Sequence, residues 1–283
     1  MARLLLAKEV NEELCSALLT RCALLKERGV FPCLATVRVG FSEADVSYER
    51  SINKRCENIG IKVKNIVLEE RTPTEKVIQE IVNLNMDDEV HGILLFKPLP
   101  PQIDERRVSD IIDASKDVDA AGRITAANPY LGRNDGFAPC TAEAVMQILR
   151  HYAVRLEGSH AVVLGRSDVI GKPLSMMLLS ENATVTICHS KTANLPEICR
   201  QADIIIAAVG VPKMLTQEFF SPGQVVIDVG IHVEEDGSMC GDVDFAAADP
   251  IVAAITPVPG GVGAVTTTML AQAVITAASR LTE

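Results

Sequence analysis

The chain has no Cys-x-x-Cys pair, no long run of lysine or arginine, and no internal repeat or low-complexity tract. Its eight cysteines (15, 22, 33, 56, 140, 188, 199 and 240) are scattered, several of them inside apolar runs. They read as small core residues, and no zinc, redox or other metal centre is expected. A formal net charge of -10 argues against a nucleic-acid partner, whose phosphates need a basic face. An anionic small ligand would instead need a local basic pocket. The opening MARLLLAKEV holds too short an apolar stretch for a signal peptide, and no run approaches the roughly 18 apolar residues of a membrane span. The expectation is a soluble, reduced, cytoplasmic protein with no membrane partner.

What the chain does have is apolar residues, 48% against 23% charged, which supply the buried surface that disordered chains lack. Its 283 residues are enough for two cores of ordinary size. Val10, Leu14, Leu18, Cys22 and Leu25 recur at helical spacing up to Gly29 and predict a helix over 7–28. A strand over 33–39, a helix over 43–59 closed by Gly60, a strand over 61–68, a helix over 74–84 and a strand over 92–96 follow. The proline-rich turn from Phe96 to Pro101 should sit rigidly at the carboxyl end of its strand, where α/β sheets place ligands. A connecting stretch over 116–134 leads to Thr141, which reads as the N-cap of a helix over 142–150.

A second alternating series then begins: strand 160–164, helix 170–180, strand 184–188, helix 195–201, and strands 203–207 and 225–228. A final helix over 266–281 follows PVPGGVG. The fold class is therefore α/β, with two domains, each a mostly parallel sheet with flanking helices, the later one of Rossmann type.

The strand over 160–164 runs into Gly165-Arg166-Ser167, and Gly171 opens the next helix. A buried strand, a tight turn and a helix N-terminus together present backbone amides to a phosphate. The spacing is not GxGxxG, so an ordinary βα turn fits the residues equally well. The second strand supplies the context. NAD-binding folds usually carry an acidic residue at its end, and here the chain reads Cys188-His189-Ser190-Lys191. No carboxylate repels a 2′-phosphate, Ser190 can donate to one, and Arg166 offers a planar fork, so NADP is expected rather than NAD. His189 is given no chemistry. Gly210 and Ile231 follow apolar strands where a nicotinamide or ribose could approach the backbone, though each segment also reads as a plain loop.

The segments VGFSEADVSY, GILLFKPLPP, KDVD, DGFAPCT, GRSDVIGKP, ATVTICHSKT, GDVDF and TPVPGGVG stand in the order seen in the bifunctional methylenetetrahydrofolate dehydrogenase/methenyltetrahydrofolate cyclohydrolase family, which the chain resembles over almost its whole length. The resemblance implies a folate-binding catalytic domain over 1–140, with 264–283 packing back on it, and an NADP-binding domain over 141–263. It also implies a homodimer, and a folate substrate in the cleft between the domains. Tyr48 would stack on the folate and Asp119, of KDVD, would hydrogen-bond the pterin. These two are the catalytic candidates, with Ile52, Leu95, Phe96, Pro259, Gly260 and Gly261 lining the substrate. From the residues alone, Tyr48 is also consistent with a buried helix aromatic.

The departures from the family pattern fall together. The family's catalytic lysine lies four residues after the tyrosine, one helical turn on, and that position holds Ile52. Asp45 stands where a serine is usual, and Phe96 replaces the glutamine of VQLPLP. Lys54 is turned about 200° around the helix from Ile52. Arg55 stays protonated and is a poor proton acceptor. Lys97 should project opposite to Phe96. The expectation is NADP-dependent oxidation of 5,10-methylenetetrahydrofolate to the methenyl form, with cyclohydrolase activity weak or absent. The alternatives are a fully bifunctional enzyme that uses Asp45 as its base, and a non-catalytic folate- or NADP-binding regulatory protein. An oxidoreductase with a non-folate substrate is a further possibility, since Ala120, Ala121, Ala264 and Val265 also depart from the pattern.

Overall fold

The structure, a computed structural model, describes residues 1–133 and 135–280. From the amino terminus the chain forms β1 (Arg3–Leu4), α1 (Ala7–Glu27), β2 (Cys33–Val39), α2 (Glu43–Ile59), β3 (Lys62–Leu68), α3 (Thr74–Met86), β4 (Gly92–Leu95), α4 (Glu105–Ile111), α5 (Arg123–Ala126), α6 (Asn128–Leu131) and α7 (Cys140–His151). It continues through β5 (His160–Leu164), α8 (Gly171–Ser180), β6 (Thr184–Cys188), α9 (Leu195–Arg200), β7 (Ile204–Ala207), β8 (Val225–Asp228), β9 (His232–Val233), β10 (Met239–Cys240), α10 (Phe245–Ala248), β11 (Ala254–Ile255) and α11 (Val262–Ser279). Two compact units result. The amino-proximal unit holds Glu13–Cys140 and the chain from Thr267 onward; the carboxyl-proximal unit holds Met1–Glu12 and Thr141–Thr266.

In the amino-proximal unit β2 is the centre of a parallel sheet ordered β3-β2-β4. A central parallel strand is covered on both faces, which is why CLATVRV is almost wholly buried. Ala35, Val37, Ile93 and Leu95 form one core layer with Val77 and Ile81 of α3 and Val108 of α4. On the opposite face Thr36 and Arg38 meet Glu49 of α2. Helix α2 starts where the Ser42 hydroxyl accepts from the Asp45 amide at 3.4 Å, and it stops at Gly60, whose φ of 89° only glycine adopts readily.

Three expectations are corrected here. The stretch over 116–134 is not a plain connection, although its end at Asn134 lies outside the described residues. Buried Asp117 accepts from the amides of Ala121 and Gly122 and from the Thr125 hydroxyl, and this winds the chain into α5 and α6. Helix α4 was not anticipated; at seven residues it is too short to show a period, and Asp104 caps it. Thr141 is not an N-cap, because α7 already begins at Cys140, whose amide donates to Asp119 Oδ1 at 2.8 Å.

The carboxyl-proximal unit carries a six-stranded, all-parallel sheet ordered β1-β11-β8-β7-β5-β6, with a small antiparallel β9–β10 pair beside it in sequence. The observed units differ from the expected division at two places: residues 264–266 fall in this unit, and so do the first twelve. Residues 1–12 belong with this unit, since Arg3 and Leu4 pair in register with Ala254 and Ile255, and the Leu6 amide donates to the Tyr152 hydroxyl at 2.8 Å. Strands of two residues carry no readable period.

The final helix also begins earlier than expected, at Val262; its expected end at Leu281 lies outside the described residues. Contrary to the expectation that no run is long enough, α11 is long and apolar enough to cross a membrane, but 67% of it is buried, as in a core helix.

Candidate active site

The amino-proximal unit brings several expected residues into one corner at the carboxyl ends of β2 and β4. The Phe96 amide extends the ladder to the Val37 carbonyl, and the Phe96 ring meets the Tyr48 ring edge-on, with centroids 6.0 Å apart and planes at 73°. Burial, then the nearby Asp119 charge, pushes the Tyr48 hydroxyl well above its ordinary range, so it remains a protonated donor. Asp119 is itself raised by burial, against the stabilising Cys140 amide. Its neighbours in KDVD have structural tasks. Lys116 Nζ donates to the carbonyls of Leu84, Asn85 and Asp87 at the end of α3, and Asp117 organises α5.

Ile52 is 1% exposed and continues the buried stripe of Glu49, Cys56 and Ile59 along α2. Asp45 is half-buried, and burial raises its carboxyl in spite of the Arg38 charge. The other cations have other surroundings: Lys54 is exposed, Arg55 donates to Cys15 Sγ at 3.1 Å, and Lys97 donates to the Ala121 carbonyl at 3.3 Å. Leu95 is a correction. Its side chain belongs to the core layer shared with α3, because alternation along the strand gives the corner Phe96 and withholds Leu95.

Pro259, Gly260 and Gly261 lie in the carboxyl-proximal unit, in the turn between β11 and α11. The Gly260 carbonyl accepts from the Ala7 amide at 2.8 Å, and a Cβ at Gly261 would overlap the Pro257 carbonyl.

In the same unit the turn after β5 needs glycine twice. A Cβ at Gly165, whose φ is 122°, would overlap the Ala208 carbonyl, and one at Gly171 would overlap the Gly165 carbonyl. The strand and the helix therefore approach backbone to backbone, and α8 opens at Gly171 with the exposed Arg166 and Ser167 ahead of it. The Ser167 hydroxyl accepts from the Ile170 amide at 3.2 Å. Ser190 is exposed just beyond β6. His189 is structural: its Nδ1 accepts from the Lys191 amide at 3.1 Å and its amide donates to the Thr192 hydroxyl at 2.9 Å. Such an arrangement can hold a dinucleotide phosphate on backbone amides, with Arg166 and Ser190 available to a further one.

Two groups of residues escaped the sequence reading. Asp242, fully buried, accepts from the amides of Val209 and Gly210 at 2.6 and 3.0 Å and lies 2.8 Å from His232 Nε2. Asp228 accepts from the amides of Gly230, Asp242 and Val243, so the two carboxylates set the loops carrying Gly210 and Ile231. The only signal was the pair of acids in GDVDF and DVGI, which identifies no partner. The second group is Arg38 and Glu49, each 8% exposed, which face one another across β2 and α2.

Residues 5–119 match the model of the tetrahydrofolate dehydrogenase/cyclohydrolase catalytic domain, and residues 139–282 match that family's NAD(P)-binding domain. The chain is 48% identical over 270 residues to bifunctional protein FolD 1 of Desulfitobacterium hafniense, an overlap covering 95% of this chain and 96% of that one. Among solved structures it is similar to the bifunctional FolD methylenetetrahydrofolate dehydrogenase/cyclohydrolase of Campylobacter jejuni, at 39% identity and a TM-score of 0.97, covering 99% of this chain and 100% of that one. It is also similar to the Trypanosoma brucei methylenetetrahydrofolate dehydrogenase-cyclohydrolase complexed with NADP cofactor and inhibitor, at 34% identity and a TM-score of 0.95, covering 100% and 99%. With both of its domains matched over nearly its full length, the chain belongs to the tetrahydrofolate dehydrogenase/cyclohydrolase family.

Proposed function

We propose that this enzyme oxidises 5,10-methylenetetrahydrofolate with NADP and also hydrolyses the methenyl product, with Asp45 handling the proton in place of a lysine. The sequence alone favoured oxidation with weak or absent hydrolysis. The full-length likeness to a bifunctional relative at 48% identity favours the bifunctional alternative. The observation that carries the reading is the corner in which Tyr48 meets Phe96 edge-on and feels the charge of Asp119, giving a folate ring an aromatic wall, a phenol donor and a carboxylate acceptor.

In the oxidation, bound NADP would supply the hydride acceptor, taking a hydrogen with its bonding electrons from the methylene carbon, while the folate nitrogens would stabilise the cation left behind. The protein's task is to hold the two in line. Gly165, Arg166, Ser167, Ser190, Gly210 and Ile231 would hold NADP, with Arg166 available to its 2′-phosphate and no carboxylate at the end of β6 to repel it. In the hydrolysis, the oxygen of water forms the C–O bond with its own electron pair and the C=N π pair collapses onto the folate nitrogen; the ring then opens as one C–N bond breaks, its pair leaving on a nitrogen that takes back a proton while the hydroxyl oxygen loses its own and becomes the formyl C=O. The proton released by the attacking water goes to Asp45, whose half-buried carboxyl is raised by burial above its ordinary value. A homodimer accompanies this reading.

A second reading, a dehydrogenase without cyclohydrolase activity, is favoured by one observation: the position of the expected amine is filled by a side chain 1% exposed. A paired assay of NADPH formation and ring-opening on one preparation, repeated with Asp45→Asn, decides between them. Ring-opening lost in the variant supports the bifunctional enzyme, and none in the unaltered protein supports the second reading. Absence of NADPH formation sinks both and leaves a silent binding protein.

A further inference from the structure

The buried ion pair of the amino-proximal unit lies on the sheet face that carries Phe96. Val37 pairs with Leu95 in parallel register, so the next residues, Arg38 and Phe96, stand side by side and point away from α3. Arg38 Nη2 lies 3.5 Å from Glu49 Oε2, and Nη1 donates to the Gly40 carbonyl at 2.5 Å. The Thr36 hydroxyl lies 3.3 Å from Glu49 Oε1 and 2.8 Å from Asn65 Oδ1. Among the described residues, Arg38 Nε is buried without a hydrogen-bond partner. Glu49 is one turn after Asp45 and one turn before Ile52 on the same face of α2. A buried ion pair can often be replaced by apolar residues without loss of stability, so stability alone does not account for one at this corner.

We propose that Arg38 is a positioning residue of the folate corner: a cation held by Glu49 and Gly40 which, through Glu49 one turn along α2, keeps the Asp45 carboxylate placed to take a proton, two turns before the position where the family pattern has a lysine. A lysine carries a charge and exchanges a proton with one group. Here the guanidinium keeps the charge and the carboxylate exchanges the proton. Burial raises Asp45; the Arg38 charge is the largest influence pulling it back, ahead of the Ser42 hydroxyl, and Glu49 pushes it up. Those are the charged groups that act on Asp45 from β2 and from α2 itself, while β3, packed against α2, presents the neutral Asn65 to Thr36. The inference rests on Asp45 as the proton-handling group, and its test is separate.

The test uses the full-length enzyme as the unaltered protein, as Arg38→Lys, and as the double variant Arg38→Met/Glu49→Gln, which leaves no unpaired buried charge. Two quantities are followed: the pH profile of methenyltetrahydrofolate hydrolysis, and the 13C NMR titration of the Asp45 carboxyl in aspartate-labelled protein, assigned with Asp45→Asn. In the double variant both should move to higher pH, since the Arg38 charge outweighs the opposing Glu49 charge, and Arg38→Lys should leave both near the unaltered positions. An Asp45 titration unmoved in the double variant, or moved equally by Arg38→Lys, overturns the inference. The reading of Asp45 fails on a different measurement, undiminished hydrolysis by Asp45→Asn.

Discussion

The carboxylate of Asp228 accepts the backbone amide of Asp242 at 2.9 Å, tying one buried acid to the chain that presents another. Burial is the chief cause of its titration near 6 rather than 3.8, ahead of the opposing amides of Val243 and Asp242. The folded protein therefore keeps a proton between those values that the unfolded chain releases. The associated stability is fully present below the unfolded value and is lost as pH rises through about 6, amounting to about 3 kcal/mol. Thermal unfolding of the unaltered protein and of Asp228→Asn from pH 4 to 7.5 checks this. The unaltered protein should lose ground relative to the variant with rising pH, and a constant difference contradicts it.

Gly165→Ala should weaken both the carboxyl-proximal unit and its hold on NADP. The added carbon overlaps the Ala208 carbonyl at a φ of 122°, a backbone conflict that relaxation of a side chain cannot relieve. A cost of about 1–3 kcal/mol is expected for the strained backbone. Gly210→Ala, where nothing stands within 4 Å, should cost less. Melting temperature and the Kd for NADP report both, and equal effects from the two substitutions would count against the close-approach account.

Arg166→Ala should erode the preference for the phosphorylated cofactor. A charge-assisted hydrogen bond to phosphate accounts for about 10–100-fold in kcat/KM with NADP. The same ratio with NAD should hardly move. If NADP and NAD fall together, Arg166 does not read the 2′-phosphate.

Ile52→Lys alone should not increase ring-opening. The position is 1% exposed, and Glu49, one turn back, is already engaged by Arg38, so a new ammonium has no free partner there. The substitution should instead lower stability by roughly 2 kcal/mol or more. A rise in methenyltetrahydrofolate hydrolysis with an unchanged melting temperature would show that the corner still accommodates an amine.

Much of the frame was legible because burial imposes a period. The runs over 33–39, 160–164 and 184–188 match β2, β5 and β6 residue for residue, and Gly60 ends α2 as its left-handed conformation requires. Where partners are distant the reading failed. The Cys140 amide donates to the distant Asp119, so the start of α7 could not be found in a local cap. The side chain of Leu95 went to the core because one residue of alternation separates it from Phe96. Tyr48, Phe96 and Asp119 were named through the family pattern, whereas Arg38, Glu49, Asp228 and Asp242 were invisible, since a charged residue within an apolar run does not announce its counter-charge.

The pairing of β1 with β11 joins segments about 250 residues apart in the chain. During synthesis Arg3 and Leu4 must wait, unpaired, until β11 has emerged. An edge of the six-stranded sheet is thus closed only after β11 is made, and a nascent chain interrupted before Ala254 has no place to dock β1.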